Sequence, residues 1–211
     1  HGCTLYGVLL AGFMLFLGRY ANEKDMVVGT PIANRNRDEI EPIVGFFSNT
    51  LVIRTRLDEA ATFPELLSQV HERALGALAH PNLRFELLLD NLALVRDLSR
   101  TPLFQIMFAL QNLPNDPMRF EGLEASAVQA DGGVSPFDLS VYVVDSEAGL
   151  AVTFEYATAL FDEQTIDRMS EGFQHLLEQI AERADRSLDE LSVISPRERD
   201  RLLTEWNTTA S

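Results

Sequence analysis

The 211 residues carry 32 Asp and Glu against 17 Lys and Arg, a formal net charge of −15 that counts against a protein holding nucleic acid by neutralising phosphates. A hydrophobic content of 46% is ample for a core, in one domain or two small ones. The single cysteine, Cys3, rules out an internal disulfide and fits a reducing, cytoplasmic setting.

The chain opens His1-Gly2-Cys3 with no initiator methionine, so it is expected to be cut from something longer. Residues 5–17 are nearly all apolar. A membrane span needs about 20 such residues, and a signal peptide wants a basic start and a cleavage site, so a buried helix capped by Thr4 is expected. It ends at Arg19-Tyr20, before the polar turn Asn22-Glu23-Lys24-Asp25. Met26, Val27 and Val28, closed by Gly29-Thr30-Pro31, read as a strand buried on both faces. Just past the carboxyl end of this central strand, where open α/β sheets place ligands, come the donors Asn34, Arg35, Asn36 and Arg37. Asp38 and Glu39 suit the start of a short acidic helix that Pro42 and Gly45 break. The run 46–50 then leads into the strand Leu51-Val52-Ile53. Asn49, between phenylalanines and a β-branched strand, has to be hydrogen-bonded or face a polar cavity, because leaving it buried and unpaired costs roughly 1–3 kcal/mol.

Thr62-Phe63-Pro64-Glu65 starts a helix running to about Ala79, with Leu66, Leu67, Val70, Ala74 and Leu78 on one face. Pro81 stops it. Phe85, Leu87, Leu88, Leu89 and Leu92 give a shorter helix, and a polar loop over 96–102 feeds a strand at 104–110. Prolines and glycines then punctuate short strands at 118–129, 137–145 and 150–156, the last two joined by the hairpin connection Ser146-Glu147-Ala148-Gly149. Asp162 begins the last large helix, a cover for the sheet, with Ile166, Met169, Phe173, Leu176, Leu177 and Ile180 on its apolar stripe. Ser195-Pro196-Arg197-Glu198 reads as a capping box that starts a short charged helix towards Trp206.

No complete catalytic set emerges from these residues. His71 and His175 fall in amphipathic helices, and no two histidines share metal-ligand spacing with carboxylates or Cys3, so no metal is expected. His80 lies at a helix end, where an imidazolium is favoured by the dipole and a capping role suffices. No Gly-x-Ser-x-Gly elbow, phosphate-binding loop or dinucleotide fingerprint occurs, and no serine or cysteine carries local signs of activation.

Four stretches in order, GTPIANR at 29–35, IVGFFSNTLVIR at 43–54, HPNLRFE at 80–86 and RDLSRTPLFQ at 96–105, resemble the condensation domains of non-ribosomal peptide synthetases. The resemblance spans nearly the whole chain but only the C-terminal half of such a domain. It implies an α/β fold, a chloramphenicol-acetyltransferase-like lobe whose mixed sheet is covered by helices. Residues 1–190 would form the C-terminal lobe and 191–211 the start of the linker to an adenylation domain. Amide formation between carrier-bound aminoacyl or peptidyl thioesters is the implied activity. Its histidine belongs to a His-His-x-x-x-Asp-Gly motif in the N-terminal lobe, so this chain would hold no catalytic residue and be inactive alone.

By the same resemblance Arg35 pairs with that motif's aspartate, and Asn49 lines the tunnel between the lobes, with Ser48 where the family has valine. Asn34 belongs to the first motif. His80, Phe85 and Glu86 match a motif whose Gln, Asp and Pro are replaced here. Arg96, Asp97, Ser99 and Arg100 match a loop-stabilising network, with a substrate contact as the alternative. The hairpin at 137–156 corresponds to a latch onto the other lobe, or else to an ordinary sheet edge. The implied partners are the N-terminal lobe, donor and acceptor carrier proteins and an adenylation domain, with neither nucleic acid nor membrane. No cofactor binds directly; phosphopantetheine arms deliver the substrates. Carrier proteins are usually acidic, so Arg54, Arg56 and Arg84 are the candidate docking cations on a chain of this charge. Without its N-terminal lobe the chain is expected to self-associate. The rival readings are an epimerisation domain, a cyclising domain, and a scaffold that binds carrier proteins without chemistry.

Overall fold

A computed structural model describes residues 3–35, 37–81, 83–92, 101–111, 122 and 133–205. The apolar run at the start becomes helix α1 (Leu5–Ala21), capped by Thr4, whose Oγ1 accepts from the Gly7 N–H at 3.2 Å, and closed by Asn22 in the left-handed region. Every residue from Leu9 to Gly18 is buried, because α1 lies on the sheet with a second helix beside it and a third across its outer side. That accounts for a helix apolar all round rather than striped.

Five strands follow: β1 (Asp25–Ile32), β2 (Asn49–Arg56), β3 (Ile106–Gln111), β4 (Leu139–Ser146) and β5 (Gly149–Tyr156). They form one mixed sheet in the order β2-β1-β3-β4-β5, with β1 parallel to β3 and β3 parallel to β4, while β2 and β5 run antiparallel at the edges. β1 is an interior strand, and β3 holds the middle. Side chains alternate between the faces. Val28, Ile53, Phe108, Leu139, Val141 and Val143 point to the helix-covered face and join its core. On the opposite face Phe104 lies directly over Gly29, where a Cβ would come within 2.2 Å of its ring, and Phe104 packs between Phe85 and Phe137.

Helix α2 (Phe63–Leu78) starts with a full capping box, the Glu65 carboxylate accepting from the Thr62 N–H at 2.7 Å. It packs on β2 and α1, and the Thr55 hydroxyl donates to the Gln69 side chain across that junction. Helix α4 (Glu163–Glu182) is capped by Asp162 and lies on α1, with Phe173 between Phe13 and Phe16. Phe13 in turn stacks on Phe108 of β3, so the stripe expected to cover the sheet reaches it through α1.

Several expectations from the sequence need correction. β1 extends through Pro31 to Ile32 rather than ending at Val28, because its whole length pairs with β2. No helix forms after Asp38; residues 38–42 are turns, consistent with Pro42 and Gly45 interrupting before a second helical turn can form. Leu78 is exposed instead of packed, and helix α3 (Phe85–Asn91) has no buried residue. At Ser195 only the hydroxyl half of the capping box is present; its Oγ accepts from the Glu198 N–H, whereas the Glu198 carboxylate turns to Arg168 at 3.8 Å and Arg201 at 3.9 Å. The expected strand at 118–129 and Trp206 lie outside the described residues.

The segment after α4 is not a loose tether over its described length. A short 3₁₀ turn (Leu188–Glu190) receives the Arg19 guanidinium on the Leu188 carbonyl at 2.8 Å. Gln179 then bonds Ser192 through both ends of its amide, Val193 lies against Gly172, and Arg197 pairs with Glu171 at 2.8 Å. Residues 188–198 therefore run back along α4, ending in helix α5 (Pro196–Asp200) and one π turn (Arg201–Glu205).

Candidate functional site

Three of the four sequence motifs meet at one end of the sheet, where β1 and β3 finish and β2 begins. Arg35 lies three residues past the end of β1. Its guanidinium donates to the carbonyls of Ile40 at 2.7 Å, Glu41 at 3.0 Å, Ile43 at 2.8 Å and Gly45 at 3.3 Å, and it stacks on the Phe47 ring at 4.6 Å. One cation thus organises the whole connection between β1 and β2. A chain with no helix there needs such a hub, since its carbonyls lack intrahelical donors. The loop so held carries Val44 at 99% and Phe46 at 93% exposure, two apolar side chains with almost no cover.

Asn34 is in the left-handed region, at φ 51°, which turns the chain off β1 towards Arg35. Its Oδ1 is buried without a hydrogen-bond partner. Asn49 opens β2, and its amide reaches across to the turn after α2, donating to the carbonyls of Pro81 at 3.0 Å and Leu83 at 2.9 Å, while Oδ1 accepts from the Thr50 N–H at 2.9 Å. The carboxamide therefore meets the requirement to be bonded, and it physically joins the second motif to the third. Nothing in the linear spacing of residues 49 and 83 announces that contact.

His80 sits past the end of α2 with an exposed side chain; its own N–H donates to Ala77 and its carbonyl accepts from Leu83. The cap of α2 is thus made by backbone. Phe85 begins α3 and packs on Phe104 at 5.4 Å, and Glu86 in the first turn of α3 is exposed. Arg96, Asp97, Ser99 and Arg100, like Asn36, lie outside the described residues. Of the three candidate docking cations, Arg54 is already paired: both its Nε and Nη2 bond Asp25 across the β1–β2 ladder at 2.9 and 2.6 Å. Arg54 holds the Asp25 carboxyl below its usual range, and Asp25 raises the arginine in return. Arg56 and Arg84 are exposed.

The hairpin of β4 and β5 is part of the sheet along its length. Its turn closes between Ser146 and Gly149, the Ser146 hydroxyl donating to the Gly149 carbonyl at 3.0 Å, and β5 leaves its outer edge unpaired among the described strands. Any latching contact would therefore use that edge or the turn. Sequence reasoning overlooked Tyr6, whose phenol is buried on the helix side of the same end; burial pushes its pKa up, and the Thr30 hydroxyl, close by but outside hydrogen-bond geometry, tempers the shift. A hydroxyl-bearing side chain in the first turn of an otherwise apolar run, residues 5–17, was the available signal.

Among the described residues no three His, Cys, Asp or Glu side chains converge as a metal ion would need, and no helix is long and apolar enough to cross a membrane. Two described hydroxyls do reach a carboxylate, Thr62 on Glu65 and Ser187 on Asp189, and each pair sits at the start of a helical segment.

Comparison with known proteins gives a consistent answer. The family model described as the condensation domain matches residues 1–203. A linear gramicidin synthase of Brevibacillus parabrevis is 44% identical over 213 aligned positions, covering 100% of this chain and 3% of that protein. A plipastatin synthase of Bacillus subtilis (strain 168) is 39% identical, covering 99% of the chain and 6% of its own length. The chain thus spans only a few per cent of these relatives. Among solved structures, the X-domain from teicoplanin biosynthesis superposes with a TM-score of 0.79 at 26% identity, over 90% of this chain and 44% of that one. The four-domain non-ribosomal peptide synthetase AB3403 superposes at 0.86 and 23% identity, over 94% of this chain and 16% of that one, which speaks to the fold alone.

Proposed function

This chain belongs to the condensation-domain family, and from that membership we propose that it is the C-terminal lobe of a domain that forms amides between carrier-bound aminoacyl or peptidyl thioesters. The observation that carries this proposal is one of proportion. The family model runs across nearly the whole chain, yet the chain fills only 44% of the X-domain and 45% of a starter condensation domain. A chain of that proportion corresponds to one lobe, and one lobe of an interfacial active site need hold no nucleophile and base of its own.

In this proposal residues 1–190 are the lobe, and 191–211 begin the connection to an adenylation domain. The N-terminal lobe supplies the histidine that orients or deprotonates the acceptor amine. This lobe supplies a wall. Asn49 holds the turn at 80–84 against β2, and Arg35 holds the loop that carries Val44 and Phe46 outward. On meeting the second lobe, Arg35 exchanges carbonyl partners for the carboxylate of the absent motif, a stronger, charge-assisted bond. Asn34 turns the chain towards the Arg35 loop, and Arg96, Asp97, Ser99 and Arg100 are assigned by their motif to a loop-stabilising network, with a substrate contact as the alternative. No cofactor binds the lobe itself; phosphopantetheine arms of donor and acceptor carrier proteins bring the substrates, in the cytoplasm.

A second reading is a docking module without chemistry. It is favoured by the likeness to the X-domain, whose complex with OxyB superposes on this chain with a TM-score of 0.77. A single-turnover assay separates the two, using aminoacyl donor and acceptor carrier proteins with and without a supplied N-terminal lobe. Amide formed only when the lobe is added is the expected result. Amide from this chain alone would overturn the division of labour, with His80 the first residue to test, and carrier binding without amide in either case would establish the docking module.

A further inference from the structure

On the helix side of the sheet, where β1 and β3 finish, a pocket of about 190 Å³ stays open. α2 passes Gly7 of α1 at Leu67, and its later turns continue beyond that contact, so that Ala74 and Leu78 overhang a floor made by Ile53 and Leu110. Tyr6 and Thr30 bring the hydroxyls, and no charged side chain lines the space. Three properties converge here. The volume exceeds the roughly 150 Å³ of an engineered apolar cavity that takes benzene. Tyr6 Oη is buried with no hydrogen-bond partner, and a buried hydroxyl is costly to leave unpaired unless something else completes it. The pocket also lies beside the motif residues, at the carboxyl ends of parallel strands, where such sheets receive ligands.

We propose that this pocket is a subsite for one uncharged, apolar side chain of about aromatic-ring size with an oxygen acceptor beside it, the chemistry of an apolar aminoacyl group. Tyr6 donates to that acceptor, and the aliphatic walls take the side chain. An ammonium or carboxylate would be buried with no counter-charge, so charged side chains are refused. That the ligand is aminoacyl rests on the functional reading above; that the pocket admits an apolar ring does not.

The test is ligand-observed NMR on the 211-residue chain with toluene, benzyl alcohol and benzylammonium, followed by competition with N-acetylcysteamine thioesters of phenylalanine and aspartate. Toluene and benzyl alcohol are expected to bind and benzylammonium to fail. Tyr6→Phe should weaken benzyl alcohol about fivefold, the value of one neutral hydrogen bond, and leave toluene unchanged. Ala74→Phe, which fills the space from α2, should abolish both. Benzylammonium binding as well as benzyl alcohol, or a folded Ala74→Phe variant binding as well as the parent, would overturn the pocket. Should Ala74→Phe fail to fold, the selective loss in the nearly isosteric Tyr6→Phe decides alone. The phenylalanine thioester is expected to displace benzyl alcohol and the aspartate thioester not to. Benzyl alcohol bound but not displaced would overturn the aminoacyl assignment, while displacement in a chain that never supports amide formation would overturn the functional reading and leave the subsite standing.

Discussion

Asn49 shows how one side chain can matter more than its position in a strand suggests. Its amide is the donor for two carbonyls of a turn that has little else to hold it, Pro81 half-buried and Leu83 open to water. Water can replace the bond to Leu83 but not readily the one to Pro81, so Asn49→Ala is expected to cost about 1–2 kcal/mol. The urea midpoint should fall with an unchanged m-value, and amide exchange over 80–84 should accelerate; a variant with neither change would show that the turn stands unaided. Asn49→Asp is expected to be worse, since a carboxylate cannot donate to either carbonyl. Two exposed carboxylates make the complementary point about helix starts. Asp162 and Glu65 are held below their usual range chiefly by the backbone N–H groups of Thr165 and Thr62. A carboxyl depressed in the folded state binds its proton more readily when unfolded, so its stabilisation is complete above the unfolded pKa and is lost as pH falls through the folded one. Stability should therefore decline from about pH 4 downward. The double variant Asp162→Asn, Glu65→Gln should show a shallower decline in urea melts at stepped pH; an identical slope would count against the caps.

At the scale of elements, close approach is decided by glycine. Gly172 lets the returning segment lie on α4, and a Cβ there would meet the Val193 carbonyl at 2.4 Å, which backbone cannot yield cheaply. Gly172→Ala is expected to lift residues 191–198 off α4, costing about 1–3 kcal/mol and breaking the Gln179–Ser192 and Arg197–Glu171 contacts. Limited proteolysis is the readout, with new cleavage between 191 and 200, and an unaltered digestion pattern would show that the segment tolerates the displacement. Phe173 tests the other side of the same helix. It fills the junction between α4 and α1 against Phe13 and Phe16, so Phe173→Ala should lose about 3–5 kcal/mol and lower the midpoint of thermal unfolding accordingly. α3 stands apart from both, because it contributes a single aromatic contact and buries no residue. Exchange protection there should be the weakest of the four longer helices.

For the molecule as a whole, one group of uncovered apolar side chains lies where three motifs meet: Ile43, Val44 and Phe46 on the Arg35 loop, with Leu75, Leu78, Leu83 and Leu87 around the end of α2 and α3. The chain by itself is therefore expected to associate reversibly, with a sedimentation coefficient that rises with concentration, and Val44→Ser with Phe46→Ser should restore a constant monomer mass. A constant monomer mass in the unaltered chain would sink the idea. The elements themselves were largely legible in the sequence, because each rests on local physics: Thr4, Thr62 and Asp162 cap the helices they announce, the period of α2 and α4 shows their buried stripe, and Ser146 to Gly149 turns as its composition suggests. The motif order was equally legible and led to the family. Local patterning also misled where it was weak, as at Asp38, where acidic residues suggested a helix that Pro42 and Gly45 do not permit. Only the tertiary structure decided the rest. The strand order, the Asn49 bridge, the pairing of Arg54 with Asp25, the four carbonyls around Arg35 and the pocket beside Tyr6 all join residues brought together by packing, in a register that depends on every intervening element at once. A linear chain specifies its helices and turns through neighbours a few residues apart, whereas a site assembled at the end of a sheet exists only after the strands have chosen their partners.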